Sequence, residues 1–168
     1  VAVACHAGVD AFVHAFESYI SLNANPVTDA ANLQAMELMS QNIRQFVANR
    51  GNLEAGLNMA CASNLAGITF GQTGLGNVHC MARFIGALCH VSHGLSNAVC
   101  FPAAAEFNLL ANPRKYARVA IAMGEDIRGL TEMEAARKAV DAVKGMCRDL
   151  GIPDRLRDVG ATEEMLPK

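Results

Sequence analysis

Helical signals run almost without interruption along this chain, and no stretch of useful length alternates apolar and polar residues with the two-residue period of a strand. A chain so patterned can bury its apolar faces only by packing helix on helix. A first helix is predicted from about Cys5 to Leu22, ending at Asn23-Ala24-Asn25-Pro26. A second starts near Thr28 and Asp29 and ends at Arg50-Gly51, where glycine suits a C-terminal cap. Asn52 then caps a third that runs to about Phe70, and Gly71 to Gly76, with three glycines, breaks the chain. A fourth covers about Asn77 to Cys89, and His90 to Gly94 reads as a sharp turn. A fifth begins near Leu95 and is disturbed at Pro102, a sixth starts at Asn112-Pro113, and a seventh starts at the Thr131/Glu134 capping box and ends at Leu150-Gly151. Thr162 to Leu166 opens one more.

Bulk properties narrow the class. With 168 residues, 52% of them hydrophobic and 18% charged, the chain can build one real core and is not of disordered composition. Alanine, leucine, methionine and glycine are expected to fill that core, because tryptophan is absent and aromatics are sparse. A net charge of -2 gives no basic footprint for nucleic acid, and no apolar run approaches the roughly 20 residues of a membrane span. Val1-Ala2-Val3-Ala4 has neither a basic segment nor an initiator methionine, so it is expected to be the interior of a longer chain and not a signal peptide. The unfinished last helix extends that expectation to the C-terminus. Six cysteines lie in apolar, helix-like contexts without a CxxC pair, and are expected to be buried, reduced thiols of a cytoplasmic protein.

Asp10 and His14 stand four residues apart on the first helix, one turn above the other, and can hold a divalent metal together. That helix is apolar on most sides, so its charges must be paired or coordinated once buried. A buried Asp–His hydrogen bond satisfies the same requirement. His79 and His93 flank the fourth helix, whose ends lie about 20 Å apart. They reach one ion only if the chain folds back before His93. His90 and His6 are further candidates. The glycine segment has the order GxxGxG with no preceding strand, which excludes a dinucleotide fingerprint.

Two blocks carry a resemblance. Gly8-Val9-Asp10-Ala11-Phe12-Val13-His14-Ala15-Phe16-Glu17-Ser18-Tyr19, followed by Asn25-Pro26-Val27-Thr28-Asp29, resembles the start of the helical domain of the iron-containing (group III) alcohol dehydrogenases. Gly74 to Arg83, then Gly86 to Ala98, resemble the segments bringing that family's later histidines. The resemblance spans essentially the whole chain. It implies an all-α helical bundle, the C-terminal helical domain of the dehydroquinate synthase-like fold, truncated at both ends. Residues 1–168 would form the metal-binding and catalytic domain, without the N-terminal nucleotide-binding domain. It implies one metal ion on Asp10, His14, His79 and His93, iron(II) by family habit with zinc possible, and NAD or NADP held mainly by the other domain.

The function so implied is interconversion of a small alcohol and its aldehyde by hydride transfer, with the metal as Lewis acid, in a cytoplasmic homo-oligomer that binds neither nucleic acid nor membrane. One carboxylate and three neutral imidazoles around a divalent ion leave a net charge of +1, which suits a developing oxyanion. Two departures stand out. Arg83 occupies the place of a family histidine near the nicotinamide. It cannot relay a proton but can anchor a substrate carboxylate or cofactor phosphate, unless a nearby acid pairs it. Ser92 replaces a usual proline before His93. Phe12, Phe84 and Phe101 are candidate substrate walls or core residues. The alternatives are a zinc-type polyol dehydrogenase domain, acting on a substrate such as glycerol, and a helical scaffold that has kept the fold without the reaction.

Overall fold

The computed structural model describes residues 2–165. Its seven α-helices are α1 (Ala2–Ile20), α2 (Pro26–Ala48), α3 (Leu53–Thr73), α4 (Asn77–Cys89), α5 (His93–Asn108), α6 (Pro113–Ala122) and α7 (Glu132–Asp149). Three short 3-10 turns complete the order, at Leu109–Ala111, Leu156–Val159 and Glu163–Met165. No strand occurs among the described residues.

The caps behave as their side chains dictate. Asn25 accepts from the backbone N–H groups of Val27 and Thr28, Pro26 opens α2, and the Thr28 hydroxyl accepts from the Asn25 N–H. Asn52 accepts from Ala55 N at the start of α3. Thr131 and Glu134 form the reciprocal box of α7.

Helix α1 is apolar nearly all round and takes the central place that this pattern demands, packing on α2, α3 and α5. Its Val9, Phe12, Val13, Phe16 and Tyr19 are buried. Phe101 of α5 lies between Phe12 and Phe16, at ring-centroid distances of 5.9 and 4.9 Å. Tyr116 of α6 meets Phe16 edge-on and donates its hydroxyl to the Ala105 carbonyl. One buried polar network joins three helices: Asn32 donates to Ser18, while Thr69 donates to Asn32 and Thr73 to Ser18. Each buried group thereby finds a partner, which is the condition for keeping polar atoms in a core. The α6–α7 hairpin closes the far side, and α4 packs mainly on α5.

Several expectations require correction. Helix α3 continues through Gly71 to Thr73, so the break is confined to Gly74-Leu75-Gly76. Buried Thr69 and Thr73, bonded into the polar network, hold that last turn. Helix α5 begins at His93 and runs through Pro102 to Asn108. The ring removes one backbone donor, but burial of Ala98, Phe101, Ala104 and Ala105 on either side keeps the helix continuous. Leucine is less central than expected: only Leu109 is buried among the described leucines, while Leu33, Leu38, Leu65, Leu95, Leu150 and Leu156 pack partly buried against the core. Alanine, valine, methionine and phenylalanine fill it instead, as close helix approach favours small side chains. Cys5, Cys100 and Cys147 are buried thiols, but Cys61 and Cys80 are exposed and Cys89 is half-buried. Phe12 and Phe101 are core residues, and Phe84 is exposed. The last expected helix is a 3-10 turn at Glu163–Met165, and its continuation lies outside the described residues. No helix among the described residues is long and apolar enough to cross a membrane.

Candidate metal centre

The two separated histidine segments meet because α4 ends abruptly. His90 takes a left-handed conformation, φ 54°, at the C-cap of α4. That residue reverses the chain so that α5 runs back along α4, starting at His93. Ser92 caps α5 by accepting from Leu95 N, and its hydroxyl also lies 3.3 Å from His6 Nδ1. Gly94 lets the N-terminus of α5 press on α1, since a Cβ there would sit 2.6 Å from the His6 carbonyl oxygen. His79 and His93, separated by a whole helix in sequence, come within 5.5 Å between ring centroids.

Asp10 and His14 face this junction from α1. Asp10 Oδ1 lies 3.6 Å from His79 Nε2, 3.7 Å from His93 Nε2 and 3.9 Å from His14 Nδ1. One ligand atom from each of Asp10, His14 and His79 falls within 4.8 Å of the others. His93 stands beside this compact trio, linked to it through Asp10, and is the most exposed of the four. Asn97, one turn along α5, donates to Asp10 Oδ1 at 2.6 Å and to His93 Nε2 at 3.0 Å.

The ring nitrogens are not equivalent. His14 Nδ1 donates to the Asp10 backbone carbonyl at 2.8 Å, which leaves its Nε2 as the available lone pair. His79 Nδ1 lies 2.7 Å from Glu17 Oε2, a bond in which the ring must donate to the carboxylate. His79 Nε2 is buried without a hydrogen-bond partner. A buried ring nitrogen left in this state is costly, and it fits a site built for a cation that accepts its lone pair. Burial is the main influence on His14, holding its pKa below the usual imidazole value. The hydrogen bond and charge of Asp10 oppose that effect, while His79 and His93 reinforce it. A depressed pKa keeps the imidazole neutral, the form that binds metal.

Beside Asp10 and His14, a hollow of 270 Å³ opens between α1 and α3, lined by Ala7, Ala11, Ser63, Ala66, Gly67 and Phe70. Phe70 packs on His14 with ring centroids 4.7 Å apart. Arg83 is exposed one turn beyond His79 on α4, and among the described residues it has no ion pair or hydrogen bond. His90 serves the turn and His6 contacts Ser92, so neither joins the cluster. Glu17, Asn97 and Phe70 are the residues that spacing missed. Glu17 carried a signal: it continues the Asp10/His14 stripe by one more turn on an apolar helix, where a charge must have a partner.

Comparison with known proteins shows the family. Residues 4–168 match the Fe-containing alcohol dehydrogenase family, C-terminal. A 1,3-propanediol dehydrogenase of Klebsiella pneumoniae is 51% identical over 95% of this chain and 41% of its own length. A sulfoacetaldehyde reductase of Bilophila wadsworthia is 45% identical over 95% of this chain and 42% of its own. The crystal structure of a 1,3-propanediol oxidoreductase superimposes with a TM-score of 0.94 at 49% identity, over 95% of this chain and 42% of that one. The chain thus spans about two fifths of the length of these relatives. A match over nearly all its residues, with close likeness in both sequence and structure, means that the chain belongs to the Fe-containing alcohol dehydrogenase family, whose C-terminal region it represents.

Proposed function

We propose that this chain is the metal-holding helical part of an NAD(P)-dependent alcohol dehydrogenase that interconverts a small alcohol and its aldehyde by hydride transfer. The observation that carries this reading is the buried, unpartnered Nε2 of His79 facing Asp10 Oδ1 at 3.6 Å beside His14. Asp10, His14, His79 and His93 would hold the ion, iron(II) by family habit, although this donor set accommodates zinc as well. A divalent ion bound there supplies Lewis-acid polarisation of an alcohol or carbonyl oxygen.

The chain's own residues perform the remaining tasks. Asp10 supplies the one negative charge among the four donors, so the loaded centre keeps a net positive charge. The hollow between α1 and α3 receives the substrate, and its small side chains and Phe70 suit a short carbon chain. Relatives named for 1,3-propanediol, sulfoacetaldehyde and lactaldehyde support a substrate of that size. Arg83 offers a fixed positive charge near His79 and no proton relay, which suits anchoring of an anionic group on substrate or cofactor. NAD(P) is held mainly by a part of the enzyme other than these helices. A cytoplasmic homo-oligomer completes the proposal.

Metal analysis of the purified chain tests it. About one equivalent of iron, retained or restored under anaerobic reconstitution, is expected, and His93→Ala or Asp10→Asn should lose most of it. Stoichiometric zinc in preference to iron would favour the polyol-type alternative. A chain that holds neither metal after reconstitution would be a scaffold, and the proposal would fail.

A further inference from the structure

Glu17 is nearly fully buried, and both of its carboxylate oxygens are committed. Oε1 accepts from the backbone N–H of Val78 at 2.7 Å, and Oε2 accepts from Nδ1 of His79 at 2.7 Å. One side chain on α1 therefore grips both the first turn of α4 and the ring of its histidine. The backbone N–H groups at a helix start have no partner within the helix, so a carboxylate there is well placed. Helix α4 otherwise packs mainly on α5. Gly76 makes room for the grip, because a Cβ at that position would lie 2.8 Å from Glu17 Oε1.

We infer that Glu17 is the positioning residue of the metal centre: it locks His79 in the Nδ1–H tautomer and thereby presents Nε2 toward Asp10 and His14. The inference rests on the ligand assignment proposed above and adds the means by which one ligand is oriented. In the other tautomer Nε2 would carry a proton and could not ligate. Glutamate can do this because it accepts twice. Glutamine of the same shape accepts through one atom only. If its oxygen takes the Val78 N–H, its amide NH2 faces Nδ1 and favours the Nε2–H tautomer. If its oxygen takes Nδ1–H, the NH2 opposes the Val78 N–H. Either arrangement weakens the presentation of Nε2.

The test uses the full 168-residue chain with ¹⁵N-labelled histidine, first without metal and then titrated with Zn²⁺ alone. The metal-free parent should show His79 with the proton on Nδ1, its signal identified by its loss in His79→Ala. In Glu17→Gln that signal should move toward the Nε2–H pattern, and Zn²⁺ affinity should fall about 10- to 100-fold. Gly76→Ala, which displaces the Glu17 carboxylate without changing its charge, should shift the same signal and weaken Zn²⁺ binding in the same direction. Combined with His79→Ala, Glu17→Gln should add no further loss, since it acts through that ring. An unchanged His79 tautomer in both variants would overturn the inference, as would Zn²⁺ affinity within twofold of the parent while His79→Ala still loses binding. If His79→Ala leaves affinity intact, the ligand assignment itself is wrong and the role of Glu17 at the metal goes with it. Circular dichroism of both variants separates these outcomes from loss of fold.

Discussion

His90 is the residue on which the site's assembly turns. It is the only non-glycine among the described residues with a positive φ, and it sits where α4 must stop so that His93 can return to His79. An L-residue held in the left-handed region costs roughly 1–2 kcal/mol, which glycine avoids at some cost in unfolded-state entropy. His90→Gly is therefore expected to stabilise the fold by about 0.5–1 kcal/mol in denaturant titration while leaving metal affinity unchanged. A loss of metal binding in that variant would make His90 a ligand and contradict the geometry of the cluster. Chain spacing could not decide this point. It ranked His90 beside His93 because both are histidines near one turn, whereas the dihedral angle and the side-chain directions separate them. Asp10 and His14 were legible because four residues is one helical turn. Glu17 showed by its place on an apolar helix that it needs a partner but not which one, and Asn97 showed nothing, because their partners lie 62 and 87 positions away and no local period encodes such pairs.

At the scale of the element, the clearest sequence signals are capping side chains. Asn52 and Thr131 each fulfil the role their chemistry suggests, and the starts of α3 and α7 fall where expected; α2 starts at Pro26, two residues before the expected Thr28, because Asn25 caps it. Helix ends and internal breakers were less legible, because glycine and proline carry only a local cost that packing can offset. Gly71 and Pro102 both lie inside helices here. The capping box of α7 is exposed and separate from the metal centre, so it provides a clean measure of helix stability. Thr131→Ala removes the acceptor for Glu134 N and should cost about 1 kcal/mol of unfolding free energy. Zn²⁺ affinity should not change. A cost near zero would mean that α7 is held by its packing on α6 and α5 without help from its cap.

Two predictions belong to the whole molecule. Burial pushes the Cys100 thiol up to about 11 and the Cys147 thiol up to about 12, from an ordinary value of 9.0, and raises Tyr116 as well. In the unfolded chain these groups ionise first. The stability they lend is thus complete below about pH 9 and is lost as pH climbs toward the folded values. Denaturant midpoints of the metal-free chain should fall steadily between about pH 9 and 11. Cys147→Ala should fall less over that interval, even if it starts lower. A parallel decline in both would assign the alkaline loss to other groups.

The second prediction joins the site to the architecture. The four candidate ligands come from three helices: Asp10 and His14 from α1, His79 from the start of α4, and His93 from the start of α5. An ion held by them would cross-link these helices and add a tie for α4, whose helix packing lies mainly on α5. Ligand binding to the native state alone adds about 2.7 kcal/mol at a free concentration of 100 times Kd. For a domain of this size that corresponds to a rise in Tm of about 5–10 °C. The gain should be unevenly distributed. Amides of α4 and the first turn of α5 open by local detachment in the metal-free chain and should gain most of the hydrogen-exchange protection when Zn²⁺ is added. The α6–α7 hairpin, remote from the four ligands, should gain protection only in amides that exchange by global unfolding. A uniform gain across all helices would mean that α4 is already fixed without metal, and that the ion stabilises the molecule without organising its site.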